Sequence, residues 1–227
     1  MAKSLSEQNI HSHLFTLDYK THGRQVSTVG VNLHGETATK LAKHLRGLQP
    51  SSSNILLQLA STELDLIHNH GLWMFPNLYA RQAAIRNQLP LIISPRGMLE
   101  SWSLNNNWYK KSLAWFLYER KNLKSATAFH ATSTEEVQSI RKLGFKQPIA
   151  LIPNGVSIPS LKEQPGREIQ IQIFPELIDM IWLLFLSRIH PKKGIDNLIH
   201  VWHSLATQFS DWHLIIAGPD LIGYQAK

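Results

Sequence analysis

The sequence contains no cysteine. Disulfide staples and thiolate metal sites are therefore excluded, and the composition agrees with a reducing cytoplasm. Long apolar runs are also missing. The longest, Met180 to Leu186, falls far short of the roughly 20 residues that a spanning helix needs. Residues 1–9 hold no apolar core, so no secretory signal is expected there. Acidic residues are the scarcer charge, 16 Asp and Glu against 23 Lys and Arg, for a formal charge of +7. The cations are scattered rather than packed into one tract, which argues against a nucleic-acid-binding protein. The excess fits peripheral contact with an anionic membrane face, beside its ordinary effect on solubility. With 43% hydrophobic and 17% charged residues, the 227-residue chain can bury a core as one large domain or two small ones.

Periodicity supplies the organisation. Ile10 to Leu17 and Val26 to Leu33 read as strands, and residues 2–8 as the tail of a helix. Ala38, Leu41, Ala42, Leu45 and Leu48 make a helical stripe ended by Gly47, Pro50 and the serines at 51–53. Leu64 to Gly71 is a strand running into a loop, and Pro76 opens a helix through Asn87. Leu91 to Ser94 is a further strand, with Pro95-Arg96-Gly97 as its loop. Trp108 to Leu123 is helical, and Trp108, Leu113, Trp115, Phe116 and Leu117 are assigned to core or a groove wall. Ala126 to Ala131 is a strand, cap-type residues from Thr132 to Glu136 start the next helix, and Ile149 to Ile152 closes the series. Strands alternating with helices predict a parallel, doubly wound α/β sheet. Residues 156–180, with Pro159, Pro165, Gly166 and Pro175, are poorer in pattern.

From Leu183 to Gly194 the chain reads strand, basic turn, helix. Ile195, Leu198, Ile199, Trp202, Leu205, Ala206 and Phe209 continue at helical steps, and His213 to Ala217 is another strand. Arg188 falls at the strand's carboxyl end and Lys193 beside the helix amino terminus. There, unpaired amides and the helix dipole favour an anion. A guanidinium grips two phosphate oxygens while an ammonium adds a compact charge. This pair suits a diphosphate. On spacing alone, a solvated basic turn is an equal reading.

Ile152-Pro153-Asn154-Gly155-Val156, then FLSRIHPKKGIDNLI, then Ile215-Ile216-Ala217-Gly218-Pro219 stand in the order seen in group 1 glycosyltransferases, which this chain resembles. His70-Gly71-Leu72-Trp73 and the segment SPRGML at 94–99 resemble the branch that assembles cell-surface polysaccharides. The resemblance implies retaining transfer and a GT-B-like fold. Residues 1–155 are then a nearly complete Rossmann-like domain on the acceptor side, 156–180 a linker, and 181–227 the start of a second Rossmann-like domain that binds the nucleotide-sugar. Against the family's pattern, the first strand with its glycine-rich loop and the donor-gripping glutamate pair are expected to be absent. The implied function is transfer of a sugar from a nucleotide diphosphate-sugar to a surface-polysaccharide or lipid-linked saccharide acceptor. The alternative is a catalytically inactive fragment, either a binding protein or an interrupted-gene product.

The same resemblance gives Arg188 and Lys193 the donor diphosphate, and leaves Lys192 in solvent. His70 and Arg96 become the catalytic candidates, with Gly71 and Gly97 lining the cleft and Asn154 and Gly155 at a cleft or hinge. Gly155 is expected to supply unusual backbone angles. For His70, a hydrogen-bonded structural role is an equal reading. For Arg96, an internal ion pair is the alternative to an anionic acceptor. His68 and His70, two apart at a strand end, are expected to project to opposite sides of it. Glu100 and His130 are left without a role. No cofactor and no metal are implied, since two cations can take the place of a divalent ion; the nucleotide-sugar is a substrate. The implied location is cytoplasmic, peripheral at the inner membrane face.

Overall fold

The computed structural model describes residues 2–19, 29–156, 158, 168–220 and 223–224. The chain divides into two compact units, 1–156 and 157–227. The first begins with α1 (Ala2–Ser6) and β1 (Ser12–Asp18). β1 pairs in parallel with β2 (Val31–Thr37), from Ser12 opposite Val31 to Asp18 opposite Thr37. The expected strand from Val26 is thus shifted, and its residues 26–28 lie outside the described residues. α2 (Lys40–His44) is capped by Thr39, whose hydroxyl accepts the Ala42 amide at 3.1 Å.

Pro50 and the serines after it do not end structure. They open α3 (Pro50–Thr62). Proline is tolerated in a first turn because its missing N–H has no partner to lose there. The hydroxyls that favour a turn in isolation find tertiary partners instead: Ser52 donates to Glu36, and Ser53 to Gln82 at 3.3 Å.

β3 (Ile67–His70), α4 (Phe75–Arg86), β4 (Leu91–Ser94), α5 (Ser101–Asn105) and α6 (Trp108–Ala114) follow. One π turn, Trp115–Glu119, joins α6 to α7 (Arg120–Lys124). β5 (Ala128–Ala131), α8 (Thr134–Lys142) and β6 (Ile149–Leu151) complete the unit. The sheet order is β3-β4-β5-β6, all parallel, and β1-β2 form a separate ladder. The core is built on Leu91, Ile93, Leu123, Phe129 and Ile140, each fully buried. β4, Leu91-Ile92-Ile93-Ser94, is the near-continuous apolar strand that a covered parallel sheet calls for, whereas β3 carries His68, Asn69 and His70. Of the residues on α6 and the π turn assigned to core or a groove wall, one lies in the core. Trp115 packs on the core, but Trp108, Leu113, Phe116 and Leu117 are exposed.

In the second unit, α9 (Glu168–Ile173) and a 3₁₀ turn (Pro175–Leu177) occupy part of the stretch read as featureless; Pro159, Pro165 and Gly166 lie outside the described residues. β7 (Ile181–Leu186) and β8 (Trp212–Ala217) pair in parallel. A 3₁₀ turn (Pro191–Lys193) and α10 (Ile195–Leu205) lie between them. Among the described residues, no helix is long and apolar enough to cross a membrane.

Candidate active site

In a parallel α/β sheet, ligands gather beyond the carboxyl ends of the strands. Here β3 ends at His70, β4 at Ser94, β5 at Ala131 and β6 at Leu151. The loop after β3 turns at Gly71, with φ of 77°, and its amide donates to the Ser94 carbonyl at 2.9 Å. Trp73 is also left-handed, with φ of 70°. Its amide donates to the Glu119 carboxylate at 2.8 Å, and Tyr118 Oη donates to its carbonyl at 3.2 Å. Tyr118 and Glu119 both lie on the π turn, which re-registers the helix and brings consecutive side chains to the loop. Glu119 is fully buried, accepts Asn122 Nδ2 at 2.8 Å, and is held above the usual carboxylate range by that burial.

The loop after β4 is a tight turn. Met98 N donates to Pro95 O at 3.2 Å, and the central residues Arg96 and Gly97 have φ of 56° and 72°. Two left-handed residues in succession are what a type I′ turn demands. Glycine accepts this freely, whereas for arginine it costs about 1 kcal/mol. The turn is fixed from behind by Glu136 of α8. One carboxylate oxygen accepts the Gly97 amide at 2.8 Å; the other accepts the Thr132 amide at 2.7 Å and its hydroxyl at 3.0 Å.

Arg96 joins three strand ends. Its Nε and Nη2 donate to His70 Nδ1 at 3.3 and 3.2 Å, and Nη1 donates to Asn154 Oδ1 at 2.6 Å. These partners are neutral, so the alternative of an internal ion pair is not what the hydrogen bonds form. Behind His70 stands His68, ring centroids 4.2 Å apart, and His130 lies 5.4 Å from His68. The expectation of opposite projection is corrected: side chains alternate along a strand, so residues two apart share a face. His68 Nε2 is 2.8 Å from Ser94 Oγ, and His130 Nε2 donates to Ile152 O at 2.9 Å.

Burial pulls His68 down to about 4, assisted by His70, His130 and Arg96. His70 falls to about 4 as well, through burial and then the Arg96 guanidinium. Both rings are neutral at pH 7. Because Nδ1 of His70 accepts from Arg96, its proton resides on Nε2. His70 is thereby presented as a hydrogen-bond donor, not a base. Among the described residues no trio of His, Asp or Glu is arranged to hold a metal ion.

Asn154 therefore has a specific contact, while Gly155 lacks the predicted backbone role. Its φ is not left-handed, and a methyl group there would meet nothing within 4 Å. Glu119, Glu136 and Ser94 were not singled out from the sequence. Only Glu136 carried a signal, as the fourth residue of Ser133-x-x-Glu136.

In the second unit, Ser187 N donates to Ala217 O and Ile189 N to Pro219 O, both at 3.0 Å. Arg188 is thus held between two anchored neighbours at the end of β7. Gly218 makes this approach feasible, since a Cβ there would fall 1.8 Å from Ser187 O. His190 caps the next turn, its Nδ1 accepting the Lys192 amide at 3.1 Å. Arg188 and Lys193 are both exposed. Gly194, with φ of 69°, turns the chain from Lys193 into α10.

Residues 1–158 match the profile of Glycosyltransferase Family 4. No curated protein matches the chain. Among solved structures it is similar to Anabaena Alr3699/HepE in complex with UDP and glucose, with 20% identity, a TM-score of 0.57, and coverage of 87% of this chain and 50% of HepE. HepE in complex with UDP-glucose matches to the same extent. An E. coli trehalose-6-phosphate structure bound with UDP-2-fluoro glucose matches at 11% identity and a TM-score of 0.59, covering 97% of this chain and 62% of that one. The chain spans about half the length of HepE. At these identities the likeness establishes the fold, a mixed α/β arrangement of GT-B type.

Proposed function

The chain belongs to Glycosyltransferase Family 4, and from that premise we propose that it serves sugar transfer from a nucleotide diphosphate-sugar, with retention, to a surface-polysaccharide or lipid-linked saccharide acceptor. The observation that carries the reading is Arg96, held in a strained turn with its guanidinium on His70 and Asn154. Strain of this kind persists where the surroundings over-determine it, as they do at functional sites. The first unit takes the acceptor side and the second the donor. Arg188 and Lys193 neutralise the diphosphate as the sugar–oxygen bond breaks, a fixed electrostatic stabilisation that requires no divalent ion. His70 offers Nε2–H to a sugar or phosphate oxygen, and Arg96 adds a fixed cation beside it. Gly71 and Gly97 let the two loops close around that point, with Asn154 holding the far side of Arg96.

UDP is the favoured donor nucleotide, since HepE and the E. coli structure are described with UDP or UDP-sugars. The absence of cysteine and the +7 charge support a cytoplasmic setting with peripheral contact at the inner membrane face. Incubation of the chain with radiolabelled UDP-sugars and lipid-linked saccharides tests the reading. Acceptor-dependent product with the donor's anomeric configuration is expected; product of inverted configuration contradicts retention, and hydrolysis without transfer contradicts the acceptor assignment.

A further inference from the structure

From the outer face of α5 and α6 we infer that the first unit docks on an anionic lipid bilayer through Trp108, Tyr109, Leu113, Phe116 and Leu117. The inner face of this helix is already seated: Ala114, Glu119, Asn122 and Leu123 are buried, and Trp115 packs on the core. What remains outside is apolar. Phe116 is 84% exposed, Trp108 65%, Leu117 64% and Leu113 62%, with Tyr109 and Trp102 close behind. Scattered exposed apolar residues need no explanation, but a contiguous set on one helical face does. Tryptophan, tyrosine and phenylalanine on a helix flanked by cations compose the face of an interfacial helix, buried to headgroup depth and no further.

Charge selects the occupant. Lys110, Arg120, Lys121 and Lys124 are exposed around this face, and the one acidic residue between 101 and 124, Glu119, is fully buried. A second copy seated here would set these cations against their own images. An anionic headgroup layer complements them, each such cation strengthening adsorption near the surface. Lys111 does not belong to the set, because its ammonium bonds to Ser103 and lies 5.9 Å from the Trp73 ring centroid. The surface starts directly after the Pro95–Glu100 loop, with Glu100 as the N-cap of α5. An acceptor carried on a lipid would thus reach the Arg96 turn from the membrane side. This deepens the transferase reading, on which the acceptor's role rests, while docking itself is measurable without any transfer.

The test is flotation of the full chain with vesicles of phosphatidylcholine alone or mixed with phosphatidylglycerol, at low and high salt, with no sugar nucleotide present. Binding to the mixed vesicles, weakened by salt and absent from the neutral ones, is expected. Arg120→Gln/Lys121→Gln should lower partitioning roughly 20- to 30-fold, and Phe116→Ser/Leu117→Ser should abolish it with an unchanged far-UV circular dichroism spectrum. If the serine pair does not fold, the glutamine pair decides. Quenching of tryptophan emission by brominated lipid should fall in Trp108→Phe. The inference is overturned by equal binding to neutral vesicles or by no binding of folded protein. It is equally overturned by a lipid-independent dimer that the serine pair dissolves, or by both variants binding as wild type.

Discussion

The Gly97 amide and the Glu136 carboxylate are joined by a 2.8 Å hydrogen bond across 39 residues of sequence. That bond makes a capping residue of α8 the anchor of the turn that presents Arg96. Removing it in Glu136→Ala leaves the amides of Gly97 and Thr132 without their acceptor. A loss of about 1–3 kcal/mol is expected, read as a lowered urea midpoint with unchanged slope. A midpoint equal to wild type would show that the turn is self-supporting.

The histidine cluster imposes a pH dependence on stability. Unfolded imidazoles take up protons near pH 6.5, whereas His68 and His70 in the fold do so only near 4. Between those values the unfolded state binds more protons, so stability falls as pH drops from about 6.5 to about 4 and is flat above that window. In His68→Gln this slope should become shallower. Urea melts of both proteins at several pH values check the sign; an unchanged slope in the variant contradicts the burial of His68 as its source.

Arg96→Lys keeps a cation but loses the fork that holds His70 and Asn154 together. Binding of an acceptor at this site should weaken about 10- to 150-fold, corresponding to one charge-assisted bond at ~1.5–3 kcal/mol. Stability should be unchanged or slightly reduced. His70→Gln, which still offers an N–H donor, should retain more function than His70→Ala. Equal losses in the two His70 variants would remove the donor role assigned to Nε2.

What could be read from the residues, and what could not, divides along a physical line. Leu91 to Ser94 and the Pro95-Arg96-Gly97 loop were legible because an apolar run followed by turn residues has few other solutions. Arg188 and Lys193 were nameable because their segment keeps a recognisable order, although nothing local tells a phosphate site from a solvated turn. Glu119 was invisible: a carboxylate on an aromatic helix reads as solvated, and only the π turn brings it under Trp73. The same turn explains why Phe116, assigned to core or a groove wall, stays out of the core. Adjacent apolar residues at 115–117 do not reveal which one faces inward. Pro50 misled for the opposite reason, since its breaking tendency was real but applied to α2 and not to α3, which it opens.

The central claim is that Arg188 and Lys193 recognise a diphosphate. Calorimetric titration of the chain with UDP, UMP and UDP-glucose, repeated on Arg188→Ala and Lys193→Ala, tests it most directly. The account predicts that UDP and UDP-glucose bind more tightly than UMP, and that each substitution weakens diphosphate binding about tenfold or more while leaving UMP nearly unaffected. Equal affinity for UMP and UDP, or variants that bind UDP as wild type does, would contradict it.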